Sequence, residues 1–184
     1  MNQIKFHGVG GQGVVTAAKV LSIASSLYED DYAITVPAYG HERRGAPVTT
    51  DIIIDKEPVL MNCYIYHPDM VVVCDPAAME NGIDVGAGIK ENTVLVLNTD
   101  SEELTKAYME RFGFKKAFYV DATAIAVETI GLNIPNGSIL GAIAATGTVS
   151  LDSVKKALND FFGEKGGTKN GKSAELAYER IKEA

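Results

Sequence analysis

Six consecutive residues, Gly8-Val9-Gly10-Gly11-Gln12-Gly13, could do chemistry with little more than their backbone. The spacing Gly8-x-Gly10-x-x-Gly13 matches the dinucleotide fingerprint, in which glycines let a tight turn approach a pyrophosphate and the next helix offers its first amides to phosphate oxygens. That fingerprint also needs an acidic residue at the end of the second strand to hold a ribose hydroxyl. Here the strand ends Thr35-Val36-Pro37, and the nearest acids, Glu29, Asp30 and Asp31, precede it, which weakens NAD as the ligand. Two readings stay open: a tight turn with close helix–strand packing, or a loop presenting backbone N–H groups to another anion. Gln12 favours a close approach to a ligand or a partner chain, because its amide is donor and acceptor at once among four glycines and a valine.

The second constellation is Tyr39-Gly40-His41-Glu42-Arg43-Arg44-Gly45-Ala46-Pro47, four ionisable side chains between two glycines. As a solvated loop it would carry an exposed Glu–Arg pair of about 0–1 kcal/mol. As a site, its guanidinium forks suit a carboxylate or phosphate, on a ligand or on a partner. The interface or anion-binding candidates are therefore Tyr39, Glu42, Arg43, Arg44 and Gly45. No catalytic residue emerges: Asp121 reads as a helix cap, His7 as a strand-end residue with a structural role, and His67 as part of a turn. Cys63 and Cys74 lack a second Cys or a His at ligand spacing, so this chain alone has no ligand set for an iron–sulfur cluster or a structural zinc. Cys74 reads as the end of a buried strand.

These residues need elements to hold them. Residues 3–7 predict a strand and 14–29 a helix whose apolar positions 14, 17, 18, 21, 24 and 28 make one buried face. A strand over 32–36 stops at Pro37, which has no N–H for a ladder. Residues 48–54 alternate and are β-branched; with Asp55-Lys56 as a turn into 57–61 they predict a hairpin. The short apolar runs 70–74, 93–97 and 117–120 suit parallel strands covered on both faces. Helices are expected after Ser101, from Asp121 to near Gly131, and over 151–162 after Ser150, with Asn136-Gly137-Ser138 as a turn and N-cap. Residues 163–171 are Gly/Lys-rich and turn-like, and 172–184 a short amphipathic helix. The expected fold is α/β, a three-layer Rossmann-like sandwich with a mostly parallel sheet and an inserted β-hairpin, built as one domain over 1–184.

Composition sets outer limits. A chain of 184 residues, 46% hydrophobic, fits one core. A net charge of -7 without a basic run argues against nucleic acid. The longest apolar runs fall far short of the roughly 20 residues that span a bilayer, and no signal peptide is visible, so no membrane role and a cytoplasmic location are expected.

The order of the motifs is itself informative. Phe6-His7-Gly8-Val9-Gly10-Gly11-Gln12-Gly13, then Pro37 to Pro47 with its Tyr39-Gly40-His41-Glu42-Arg43-Arg44-Gly45 core, then Val120-Asp121-Ala122-Thr123, Ile134-Pro135-Asn136 and Leu140-Gly141-Ala142 follow one another along residues 4 to about 162. This series resembles the gamma subunit family of the pyruvate and related 2-oxoacid:ferredoxin oxidoreductases. The resemblance implies a complex that decarboxylates a 2-oxoacid on thiamine diphosphate with Mg2+, passes electrons through iron–sulfur clusters to ferredoxin or flavodoxin, and transfers the acyl group to coenzyme A. Those cofactors would belong to alpha, beta and delta-type subunits, and none would be bound by this chain alone. Gly8, Gly10, Gly11, Gln12 and Gly13 would then serve the coenzyme A side or a subunit interface. Glu42-Arg43-Arg44-Gly45-Ala46-Pro47 looks like the pyruvate-type form, whereas 2-oxoglutarate-type relatives more often differ around the second Arg. A nucleotide- or coenzyme A-binding module acting alone is the alternative.

Overall fold

The structure, a computed structural model, describes residues 1–38, 45–78 and 82–184. Its elements in chain order are β1 (Asn2–Val9), α1 (Val14–Tyr28), β2 (Tyr32–Ala38), β3 (Pro47–Asp55), β4 (Met70–Val73), β5 (Val94–Asn98), α2 (Glu102–Phe112), β6 (Lys116–Val120), α3 (Ala122–Ile130), α4 (Asn136–Ala145), α5 (Leu151–Arg180) and β7 (Lys182–Glu183). Among the described residues the strands form one seven-stranded sheet in the order β2-β3-β1-β4-β5-β6-β7. β1, β4, β5 and β6 pair in parallel, and β2 shares their direction because β3 lies antiparallel between it and β1. Only β3 and β7 run the other way.

Strand periodicity divides the side chains between two layers. Ile4, Phe6, Ile52, Met70, Val72 and Val96 face one core, closed by α1, α3, α4 and α5. Val71, Val73, Leu95, Leu97, Ala117 and Tyr119 face the other, closed by α2 and by residues around Val85. All four residues of β4 are buried, the consequence of helices or packed chain on both faces. Below β1 and β3 the second face carries no helix among the described residues. Residues of the irregular stretch between β3 and β4 border it instead.

The helix caps anticipated from sequence form as hydrogen bonds. Ser101 Oγ accepts from Leu104 N at 3.1 Å, Asp121 Oδ1 from Ala124 N at 2.7 Å and Ser150 Oγ from Ser153 N at 3.2 Å. Four expectations are corrected. β2 continues through Pro37, which pairs with Thr50; β2 is the sheet edge, so a residue without N–H costs no bond there. The hairpin pairs β3 with β2, not with residues 57–61, which form no strand. Asn136 is the first residue of α4, whose N-cap is Pro135. Residues 163–171 are helical apart from Gly163, whose φ of 70° and ψ of 171° reverse the chain within α5. The second half then lies back on the first: a Cβ on Gly167 would overlap Asn159, Gly171 approaches Lys155, and Lys155 Nζ meets Glu175 at 3.4 Å. Glycines that suggest a turn in sequence are there because two helical segments touch at backbone distance. The last residues leave the helix to form β7.

Candidate functional site: the glycine loop and the crevice beside it

β1 must hand the chain to α1 through residues 8–13, and each constraint on those residues is visible. A Cβ on Gly8 would lie 2.6 Å from Val14 Cγ2 and 3.1 Å from Cys74 Cβ, so strand, helix start and β4 end meet with no room for a side chain. Gly11 has φ 100° and Gly13 φ 74°, in the left-handed region that glycine alone adopts freely. Gly13 is also the N-cap of α1 and packs on Asn136 of α4. No side chain caps this helix start.

The loop is bonded to the second motif. Gly10 N donates to Ala46 O at 2.8 Å and Gly45 N donates to Gly10 O at 3.1 Å, continuing the β1–β3 ladder beyond Val9 and Pro47. Gly45 takes φ 87° with open space around it, so conformation rather than crowding selects glycine there. Tyr39, Glu42, Arg43 and Arg44 lie outside the described residues. Both ends of their segment are nevertheless fixed, one by Ala38 paired with Thr49 and the other by Gly45 bonded to Gly10. Because Gly10 N is engaged with Ala46 and Gln12 N with Val9 O at 3.2 Å, two of the loop's amides serve the loop itself.

Gln12 reaches across to β4. Its Nε2 donates to Asp75 Oδ2 at 2.5 Å, while Asp75 Oδ1 accepts from Ala77 N at 2.9 Å. This bridge spans the carboxyl ends of β1 and β4, the place where the sheet order reverses and where open α/β sheets bind ligands. Gln12 Oε1 is buried with no partner among the described residues. The adjoining crevice, of about 320 Å3, is lined by Gln12, Asn98 and Thr123 and by the carboxylates Asp75, Asp100 and Asp121, with no Lys or Arg among the described residues. Asn98 organises its floor: Nδ2 donates to Cys74 O at 2.7 Å and to Thr123 Oγ1 at 2.8 Å, and Oδ1 accepts from Thr123 N at 3.2 Å. Three carboxylates repel a pyrophosphate, so the position of a dinucleotide site is present without its electrostatics.

Cys74 and His7 flank this region from within the sheet, joined by Cys74 N donating to His7 O at 2.8 Å. Burial, with Asp75 adding to it, pushes the Cys74 thiol up to about 12, which leaves no thiolate for nucleophilic chemistry. Burial first and Lys5 second pull His7 down to about 4, so the ring is neutral. Its Nδ1 faces Thr49 Oγ1 at 3.2 Å, and its buried Nε2 has no partner among the described residues. His7 thus keeps a structural role, through a neighbouring hydroxyl. His67 Nδ1 meets Gly88 O at 3.2 Å.

Sequence reasoning missed Asp75 and Asn98, whose only signal is a polar residue at the end of an apolar strand. It also missed the part-buried pair of Lys5 Nζ with the buried Asp51 Oδ1 at 2.9 Å, signalled by an acid inside a β-branched run.

Comparison with known proteins gives these loops a context. The model of a family described as pyruvate ferredoxin/flavodoxin oxidoreductase matches residues 3–180. The chain is 47% identical over 182 residues to the pyruvate/ketoisovalerate oxidoreductases common subunit gamma of Pyrococcus abyssi, covering 98% of this chain and 97% of that one. It is 42% identical over 182 residues to the pyruvate synthase subunit PorC of Methanocaldococcus jannaschii, with the same coverage. The crystal structure of the pyruvate oxidoreductase subunit PORC from Thermotoga maritima superposes with a TM-score of 0.83 at 31% identity, covering 100% of this chain and 98% of that one.

Proposed function

Because the chain belongs to the pyruvate ferredoxin/flavodoxin oxidoreductase family and matches its gamma-type subunits over nearly their whole length, we propose that it completes a 2-oxoacid:ferredoxin oxidoreductase. In this reading the complex oxidatively decarboxylates a 2-oxoacid, pyruvate first among the candidates, to an acyl-CoA and passes the electrons to ferredoxin or flavodoxin. Thiamine diphosphate with Mg2+ supplies the decarboxylation chemistry and iron–sulfur clusters carry electrons, all held by alpha, beta and delta-type subunits. The present chain acts as one domain over residues 1–184, is inactive alone, and works in the cytoplasm. Among its described residues no helix is long and apolar enough to cross a membrane.

The observation that carries the proposal is the backbone pairing of Gly10 with Gly45 and Ala46, which makes one surface of the two motifs. On that surface the glycine loop and the Gln12–Asp75 bridge hold a fixed backbone, and the sequence between Ala38 and Gly45 carries two arginines, Arg43 and Arg44. Guanidinium forks meet the phosphates of coenzyme A or carboxylates of a neighbouring subunit. The acidic crevice speaks against the alternative of a nucleotide-binding module acting alone.

The test is to purify the tagged chain with its native associates and assay ferredoxin reduction with pyruvate and coenzyme A. Thiamine- and cluster-bearing chains are expected to accompany it, and recovery of the chain by itself would refute the proposal. Calorimetric titration of the isolated chain with NAD, NADP and FAD is expected to give no saturable heat; saturation would favour the module.

A further inference from the structure

The irregular stretch between β3 and β4 does not behave as an ordinary surface loop. Residues 58–68 contain no Asp, Glu, Lys or Arg in a chain that is 22% charged. Of the twelve large apolar side chains exposed among the described residues, four fall here: Leu60 at 91%, Met61 at 45%, Tyr64 at 50% and Tyr66 at 74%. Single exposed apolar residues are ordinary, but a contiguous uncharged group marks an interaction surface.

The second half of the stretch, from Ile65 to Pro68, is nonetheless held in place. Ile65 is buried, and its N–H donates to Asp51 Oδ2 at 2.8 Å. Pro68 O accepts from Thr93 Oγ1 at 2.7 Å, and Asp69 N donates to Gln3 O at 2.7 Å. Gly88 packs so closely on Tyr66 O that any side chain there would overlap it. An apolar ridge fixed in this way has already lost the freedom that binding would otherwise remove.

Under the ridge lies an open groove of about 740 Å3 on the sheet face without a helix, with Tyr64 and Tyr66 at its rim and Lys5, His7 and Thr49 among its lining. Lys5 is matched by Asp51, so the floor has no unbalanced charge from that pair. His7 is only 5% exposed, and its Nε2 is a buried polar atom with no hydrogen bond among the described residues. Buried polar groups are nearly always satisfied, so this nitrogen offers a hydrogen-bonding position to whatever fills the groove.

We propose that residues 58–68 and the groove beside them are the face on which another subunit of the same oxidoreductase docks, through an uncharged apolar segment that brings one hydrogen-bonding group to His7 Nε2. The inference rests on the functional reading above, which supplies the partner. The chemistry of the partner follows from the surface: charge is depleted at the centre of subunit interfaces, where aromatic residues and Met concentrate.

Cys63 sits within the ridge, exposed, and Cys74 is buried, which makes alkylation a direct test. The isolated chain and the purified complex are treated with iodoacetamide and the modified peptides measured by mass spectrometry. Docking at the ridge is expected to slow Cys63 by at least about tenfold in the complex, because a closed interface excludes water and reagent. Cys74 should react in neither sample until it is denatured. In parallel, Leu60→Ser with Tyr66→Ser should cut the yield of copurifying subunits about tenfold while the circular dichroism of the isolated chain is retained, and Leu27→Ser, a comparably exposed site elsewhere, should not.

Equal Cys63 rates in chain and complex overturn the inference and leave the functional reading intact. Protection of Cys63 in the isolated chain that rises with concentration overturns it too, assigning the face to a second copy. If no thiamine- or cluster-bearing chains accompany the wild-type protein, the functional reading falls and the inference with it.

Discussion

His7 and Cys74 are neighbours through a backbone bond, and burial moves their titrations in opposite directions, down to about 4 and up to about 12. Both shifts keep the interior uncharged near neutral pH. For His7 the folded value lies below the ordinary 6.5, so the unfolded chain takes up the proton first as pH falls. Its stabilising contribution is complete above about pH 6.5 and is lost progressively toward pH 4. On going from pH 7 to pH 4.5 the loss from this residue is on the order of 2 kcal/mol. Urea titrations should therefore find His7→Phe less acid-sensitive than the wild type by that order. At Gly8 the limit is space: Gly8→Ala places a methyl group against Val14 and Cys74 and should cost about 1–3 kcal/mol in the same measurement. The glycine spacing is legible in sequence, but the requirement at Gly8 is not. It comes from the start of α1 at Val14 and from Cys74, far along the chain and just past the neighbouring strand, closing on the same point.

At the scale of elements, what sequence reveals depends on how local the deciding contact is. Caps at Ser101, Asp121 and Ser150 were legible because donor and acceptor lie three residues apart. The partner of β3 was not, because residues 57–61 follow it by a plausible turn and only the sheet order decides for β2. The glycines of α5 misled for a related reason. Their low helix propensity is outweighed by helix–helix contact: Gly167 meets Asn159, while in α4 Gly141 abuts the Ala174 carbonyl so tightly that a Cβ would overlap it. Two glycines should therefore fail differently. Gly141→Ala drives a methyl into a backbone oxygen that cannot step aside and should cost about 3 kcal/mol, with a lower melting temperature. Gly163→Ala meets nothing within 4 Å but must keep φ 70°, ψ 171°, a region essentially confined to glycine, and should cost about 1–3 kcal/mol. Because the strain is in the backbone and not in a contact, Gly163→D-Ala by chemical ligation should recover most of the loss.

At the scale of the whole molecule, the glycine loop and Gly45 are bonded at one end of the sheet, the end to which the proposed function assigns the site. The proposed role of Arg43 and Arg44 predicts that Arg43→Ala with Arg44→Ala, assayed in the purified complex, raises KM for coenzyme A about tenfold while kcat changes little, the pattern of lost uniform binding. A fall in subunit yield would instead assign them to the interface.

The place of β1 in the sheet also governs the order in which the chain can be assembled. It precedes every other strand of this sheet in the chain, yet Phe6 pairs with Thr50 on one side and with Val72 on the other. Contacts so distant in sequence must wait for the intervening chain and for the closure of large loops. In contrast, α4 and the two halves of α5 are close in sequence and can associate as soon as they exist. On stalled ribosomes carrying nascent chains of increasing length, amide protection of Lys5 to His7 is expected only after β4 has emerged. An interior strand that precedes both of its neighbours in the chain thus has to wait for each of them before its ladder can close.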